Sequence, residues 1–406
     1  MSDEFEKKSS KKIGIIAVVA VLIIAAVVGG ILYLNSRKKP DKIFESAIED
    51  AFNMTEKKGK KSAKVDLELT ASASGKDAQV KMINSILQDI KLKISSGIDL
   101  DKKIYNGNIV ALYGDDEVIN ATALIQNEKM YFFLKNLYSK YIEIDKKYFE
   151  ESGLELATIF ETGDIPVEKL SKDVEKILVE KVNAKELEQE KVELNGENVQ
   201  KTTLKLTAKD IAEIARDIMK KYNEYKPTDE IKELLEEIDE NIDNIEEELD
   251  VEISIYTKGA KNEIVKVVAT VAEEDYMAMV IDGEKKSKNE TIITISINEE
   301  DSNIKNAKKI AEITINEENE DNGTIAIKAE VEGITVTLTA KYSIDYKANI
   351  EAENVSNSIL IDDLSDEDAN EIMENIQNNE FLSSILGNFM GAPVTSAEDY
   401  EYEYGY

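Results

Sequence analysis

The sequence predicts an α+β protein: a single N-terminal transmembrane helix followed by a large curved antiparallel β-sheet covered on one face by amphipathic helices. Three observations predict it. Ile13 to Leu34 is a run of 22 residues without a charge. Segments such as TIAIKAEVEGITVTLTAKY place an apolar side chain at every second position, the period of a half-buried strand. Between two such regions the apolar spacing changes to three and four, the period of a helix face.

Composition narrows the function classes. A chain of 406 residues that is 42% hydrophobic and 33% charged can bury a sizeable core beneath a charged surface. Its 50 basic groups against 83 acidic ones give a net charge of −33, which repels phosphate backbones and excludes nucleic acid as an expected partner. Cys, His and Trp are absent. That removes thiolate and imidazole metal sites, disulfides, a Cys nucleophile and a Ser-His-Asp triad. Carboxylate chemistry stays open, but 83 acidic residues make chance pairs unavoidable, and no Ser, Lys or Gly-rich arrangement singles out a reaction. The acidic stretch NEENEDNGT lacks the spacing of an EF-hand. No enzyme activity, metal or cofactor is expected.

The N-terminal run KKIGIIAVVAVLIIAAVVGGILYLNSRKK reads as an uncleaved span, from Ile13 through Leu22 to Leu34. It exceeds the apolar stretch of a signal peptide, and there is no Cys to carry a lipid. Lys7, Lys8, Lys11 and Lys12 balance Arg37, Lys38, Lys39 and Lys42, so charge does not set the orientation. The default for a short tail places residues 1–12 in the cytoplasm and the remainder outside, in a bacterial cell envelope. The bilayer is then a partner through residues 13–34.

Residues 35–61 hold a juxtamembrane helix after Pro40, with Ile43, Phe44, Ala47, Ala51 and Phe52 on one face, and then a basic linker. The β-rich domain spans 62–390. KVDLELTA and IKLKISSGIDLD alternate, and in IYNGNIVALYG the pair Asn106-Gly107 marks a bulge or a hairpin tip. KMYFFLKNLYSKYIEIDKKYF concentrates rings in a chain that is 6% aromatic. Tyr131, Phe132, Phe133, Tyr138 and Tyr141 are therefore the candidate wall of a ligand pocket, the competing reading being a strand pair packing its rings into the core.

The helical middle opens at Pro166 with Val167, Leu170, Val174 and Ile177 in phase. A second helix begins at Thr207 as N-cap, carries Ile211, Ile214, Ala215 and Ile218, and ends before Pro227. An acidic helix follows with a seam of Ile231, Leu235, Ile238, Ile242, Ile245 and Leu249, either lying across the sheet or forming an arm for a partner. The second β region alternates through Val251, Ile253 and Ile255, then Ile293, Ile295 and Ile297, then Ile313 and Ile315. Asp321-Asn322-Gly323 and Glu332-Gly333 supply turns, and alternation from Ile334 to Ile350 predicts a long strand with a bend or bulge near Ser343. SDEDANEIMENI and NEFLSSILGNF read as helices, and residues 391–406 as a disordered acidic, Tyr-rich tail. One domain over 62–390 and two lobes, 62–165 and 250–390, are both compatible with these patterns.

Alternating strands such as KVDLELTA, IKLKISSGIDLD and GITVTLTAKY, interrupted by amphipathic helices, resemble the lipoprotein carriers of the LolA type and the related LppX and LprG lipoproteins over about residues 62 to 390. The resemblance implies an apolar cavity between sheet and lid that holds acyl chains, without catalysis. No family motif matches position for position, so no residue role carries over. The expected function is a membrane-anchored extracytoplasmic module that binds a lipid or other apolar ligand between sheet and helical lid. The alternative is a cell-envelope scaffold or protein-interaction module without a small-molecule ligand.

Overall fold

The computed structural model describes residues 42–45, 48, 62–127, 129–145, 148, 167–242, 249–259, 262–273, 277–319, 321–331, 333–379 and 382–383. Its strands are β1 (Ser62–Ser74), β2 (Ile90–Asp99), β3 (Ile104–Tyr113), β4 (Asp116–Gln126), β5 (Lys129–Leu134), β6 (Tyr141–Ile144), β7 (Glu188–Leu194) and β8 (Glu197–Thr207), continuing with β9 (Leu249–Lys258), β10 (Glu263–Glu273), β11 (Met277–Lys285), β12 (Glu290–Asn298), β13 (Lys308–Asn319), β14 (Asn322–Val331), β15 (Ile334–Asp345) and β16 (Ser358–Leu360). The helices are α1 (Ala78–Asp89), α2 (Val167–Asn183), α3 (Ala208–Tyr225), α4 (Asp229–Asn241) and α5 (Asp366–Asn378). The strands form a 16-stranded sheet in the order β16-β6-β5-β4-β3-β2-β1-β15-β14-β13-β12-β11-β10-β9-β8-β7. Two compact units divide the chain: one takes the described residues of 1–59, 162–318 and 325–332, the other those of 60–161, 319–324 and 333–406.

The membrane part of the expected architecture is corrected. No helix among the described residues is long and apolar enough to cross a membrane. The longest of them, α3, carries Lys209, Asp210, Glu213, Arg216 and Asp217, and each such charge at a bilayer centre costs about 3 kcal/mol. The transmembrane helix, single-pass anchoring and the cell-membrane location with a cytoplasmic N-terminus are therefore not supported. Ile13, Leu22 and Leu34 lie outside the described residues, as do residues 1–12 and 391–406.

In the first unit, an apolar sheet face is closed by helices. Register places Ile253 between Leu204 and Ala269, and Ile255 between Thr202 and Val267, so these side chains share one face. Leu178 and Val182 of α2, Ile211 and Ile214 of α3, and Ile43, Phe44 and Ile48 pack into the same cluster. Ile255 and Val267 are 0% exposed. Thr207 caps α3 in a capping box with Asp210, as its sequence position predicts. Lys181 of α2 reaches Glu213 of α3 at 2.8 Å and Asp217 at 3.5 Å, and Tyr225 donates to Asp173 at 2.9 Å. These polar ties fix the two helices on their outer side.

Three expectations for this region are corrected. The helical middle contains a hairpin, β7–β8, turning on Asn195 and Gly196 at φ of 53° and 81°. Such a pair is suited to the two left-handed positions of a type I′ turn. The acidic helix stops at Asn241, since Leu249 already opens β9, and α4 packs against α3. Its seam buries Leu235 and Ile242 while Leu234 stays exposed; Ile245 lies outside the described residues.

In the second unit, β1 pairs antiparallel with β2 on one side and with β15 on the other. The pairing of β1 with β15 runs unbroken from Lys64–Asp345 to Ser74–Thr335. No bulge interrupts this ladder near Ser343, the strand ends at Asp345, and Ala348 and Ile350 belong to the segment after it. Asn106 and Gly107 sit inside β3, paired on both sides, and form neither a bulge nor a hairpin tip. Helix α1, not anticipated, joins β1 to β2 and starts on Asp77, whose carboxylate accepts from Gln79 N at 2.8 Å. β16 lies parallel to β6, so the sheet is not wholly antiparallel.

Candidate functional site

Register divides the second unit into two chemically opposite faces. One face carries rungs of aliphatic and aromatic side chains: Tyr342, Leu67, Ile94, Ile109, Ala121 and Leu134 lie in one row, and Ile344, Val65, Ser96, Gly107, Ala123, Phe132 and Ile142 in the next. In the first unit the corresponding apolar rows are sealed beneath α2 and α3. Here Ile109 is 44% exposed, Val336 45% and Leu338 40%, and Leu67, Leu69, Leu92 and Ile94 are only half-buried. Helix α1 packs against β1, where Ala73 N donates to Asn84 Oδ1 at 2.8 Å, and carries Met82, Ile83 and Ile86, all exposed.

The opposite face is polar around its centre, with Leu124 and Tyr131 buried toward β4 and β5, and is crossed by the segment that follows β15. Its central rung is Asp66, Ser95, Asn108, Thr122 and Phe133, with Tyr141 stacked on Phe133. Lys102 Nζ holds the crossing segment at Asn349 Oδ1 and Ile350 O, each at 2.8 Å. Further along, Gln126 exchanges two hydrogen bonds of 2.8 Å with the backbone of Glu353. The Glu353 carboxylate accepts from Asn106 at 2.7 Å and from the Tyr141 hydroxyl at 3.0 Å. Burial, with that hydrogen bond, pushes the Tyr141 phenol up to about 12, so it remains a donor throughout the neutral range.

Beneath this strap lies a cavity of about 470 Å³ lined by β1, β2, β3, β4 and residues 349–353. The strap passes so close to β2 that a Cβ at Gly97 would stand 2.6 Å from Ile350 Cδ1. Gly97→Ala is expected to push that terminal methyl aside at a cost of about 1 kcal/mol. The checks are a lower thermal midpoint and a displaced Ile350 methyl resonance. An unchanged methyl would mean that the strap does not rest on β2.

The five aromatic candidates do not form one wall. Phe133 and Tyr141 stack at 4.6 Å on the polar face, where Tyr131 is also buried, whereas Phe132 belongs to the apolar face. Tyr138 lies in the turn after β5, 2% exposed, and donates to Asp368 of α5 at 2.6 Å. Among the described residues no group of three or more acidic side chains could hold a metal ion.

No family model matches the chain, and no curated protein matches it. One solved structure, described as "The Structure of Intact Ap-TbpB (N and C lobes)", is similar over 70% of this chain and 76% of its own, with 6% identity and a TM-score of 0.13. A likeness of that order carries no argument about fold or function.

Sequence reasoning missed the cavity and its strap. The available signal was on the wetted face: Ser95, Asn106, Asn108, Asn120 and Thr122 alternate with the apolar positions but are uncharged, unlike the Lys- and Glu-lined positions of neighbouring strands. Nothing in the alternation indicated that residues 349–353 would fold back over them.

Proposed function

We propose that the chain is a non-enzymatic binding module that holds an acyl chain or similar aliphatic ligand against the apolar face of its second unit. The observation that carries this reading is the exposure of Ile109, Val336 and Leu338 on a face whose rungs are mostly aliphatic and aromatic. Exposed contiguous apolar surface marks an interaction site, because covering it returns about 25 cal/mol for each Å² removed from water. The polar side chains that register places on this face are few, the hydroxyls of Ser96, Tyr105, Tyr113 and Tyr342 with the Asp116 carboxylate at its β3–β4 end, so most of it offers no hydrogen-bond partner. A hydrocarbon loses nothing there, whereas an extended peptide would leave backbone groups unpaired.

Native mass spectrometry of the full chain incubated with palmitate tests the reading. Added mass matching one or more palmitates is expected for the wild type and should be lost in Leu338→Asp, with circular dichroism unchanged. A bare mass for the folded wild-type chain would reject an acyl ligand and give the face to a protein partner.

A further inference from the structure

We propose that the cavity under the strap is a second site, on the opposite side of the same strands, for a neutral polyhydroxylated ligand the size of one or two sugar rings. The charges around it are already satisfied by one another. Lys64 Nζ is 3.1 Å from Asp66, and Lys102 is held by Asn349, the Ile350 carbonyl and Asp99. Glu353 accepts from Asn106 and Tyr141, and Glu351 accepts from Asn349 at 2.7 Å. A phosphate would have to displace an ion pair, and a divalent cation would have to strip carboxylates of their donors. Both are disfavoured in a site built this way.

What the cavity presents instead is a set of uncharged groups at fixed positions. Asn108 Nδ2 donates to Asn120 Oδ1 at 2.9 Å and to Thr122 Oγ1 at 3.0 Å. These bonds lock the amide plane across β3 and β4. Its carbonyl oxygen, with the hydroxyls of Ser95 and Thr122, can then meet the hydroxyls of a ligand. Ile350 is the one aliphatic side chain among the lining residues, which excludes an acyl chain here. Next to the lining residues, Thr122 pairs with Phe133, whose ring stacks on Tyr141, so an aromatic edge borders the cavity on the β4–β5 side. A cavity of about 470 Å³ falls within the ordinary range for small-ligand sites.

The test is a titration of the full, nitrogen-15-labelled chain with glucose, N-acetylglucosamine, maltose and cellobiose, reading the side-chain amide resonances of Asn106 and Asn108. Glucose 6-phosphate and palmitate serve as comparators. At least one neutral sugar is expected to shift both amides saturably. Thr122→Val and Ser95→Ala, each shown to be folded by circular dichroism, should weaken that binding at least tenfold. The proposal is overturned if no neutral sugar shifts the amides, if both variants bind as wild type does, or if glucose 6-phosphate or palmitate binds there more tightly. Since the acyl-chain reading is scored by palmitate mass uptake and Leu338→Asp, failure of one leaves the other standing.

Discussion

Ile255→Ala is expected to destabilise the protein by about 3–4 kcal/mol, while Leu338→Ala changes stability by less than about 1 kcal/mol. The two residues are both β-strand aliphatics on an apolar face, so the sequence alone ranks them together. Their surroundings separate them. Ile255 is 0% exposed, lies across from Val267, itself 0% exposed, and is roofed by the helices that carry Leu178, Ile211 and Ile214. Removing its side chain leaves a hole that close-packed neighbours on both sides refill only partly. Leu338 is 40% exposed, so truncation gives up little burial and opens no hole. Urea titrations of the two variants decide the matter. Equal losses would mean that the second unit's face is as closed as the first, and the acyl-chain reading would fall with it.

Asp368→Asn is expected to lower the thermal midpoint at neutral pH, with the deficit shrinking as the pH falls below about 4. The carboxylate of Asp368 accepts from Lys140 Nζ at 2.8 Å, Ser365 Oγ at 2.6 Å and Tyr138 Oη at 2.6 Å. The Lys140 ammonium, then the Ser365 and Tyr138 hydroxyls, hold its carboxyl well below the usual carboxylate range. The folded value thus lies under the unfolded one, near 3.9. The contribution to stability is complete above the unfolded value and is lost as the pH drops through the folded one. An amide in its place does not titrate and points a donor at groups that already donate. The gap between the thermal midpoints of the two proteins, measured from pH 7 to pH 2, should therefore narrow steadily below about pH 4. A gap that stays constant over that range would show that the ionised carboxylate is not what holds α5 to the turn carrying Tyr138.

Alternation in the sequence told which side chains share a face, and for Val65, Leu67 and Leu69 or Val251, Ile253 and Ile255 the register agrees with it. It did not tell what lies over the face. Ile255 and Leu338 obey the same period of two, yet one is 0% exposed beneath helices and the other 40% exposed, because cover depends on tertiary packing that the period does not encode. The hairpin β7–β8 was legible in Asn195-Gly196 but was obscured by the charged strands around it, Glu188–Leu194 above all, which have little apolar alternation. The aromatic cluster was visible as a dense stretch of the sequence, but odd and even positions in a strand point opposite ways. Phe132 and Phe133 could therefore never have shared one wall. The strap was not legible: Ala348 and Ile350 keep the phase of β15 beyond the point where the pairing stops.

The pairing of β1 with β15 also sets an order of events during synthesis. Ser62 Oγ meets Ala348 O across 286 residues of chain, so β1 has only β2 for a neighbour until the whole of the first unit has been made. At a usual translation rate of about 5–20 residues per second, that wait is on the order of tens of seconds. During it the β1 edge presents unpaired backbone beside an aliphatic face, the combination that recruits other chains. The interval ends only when residues 335–345 emerge and take that edge.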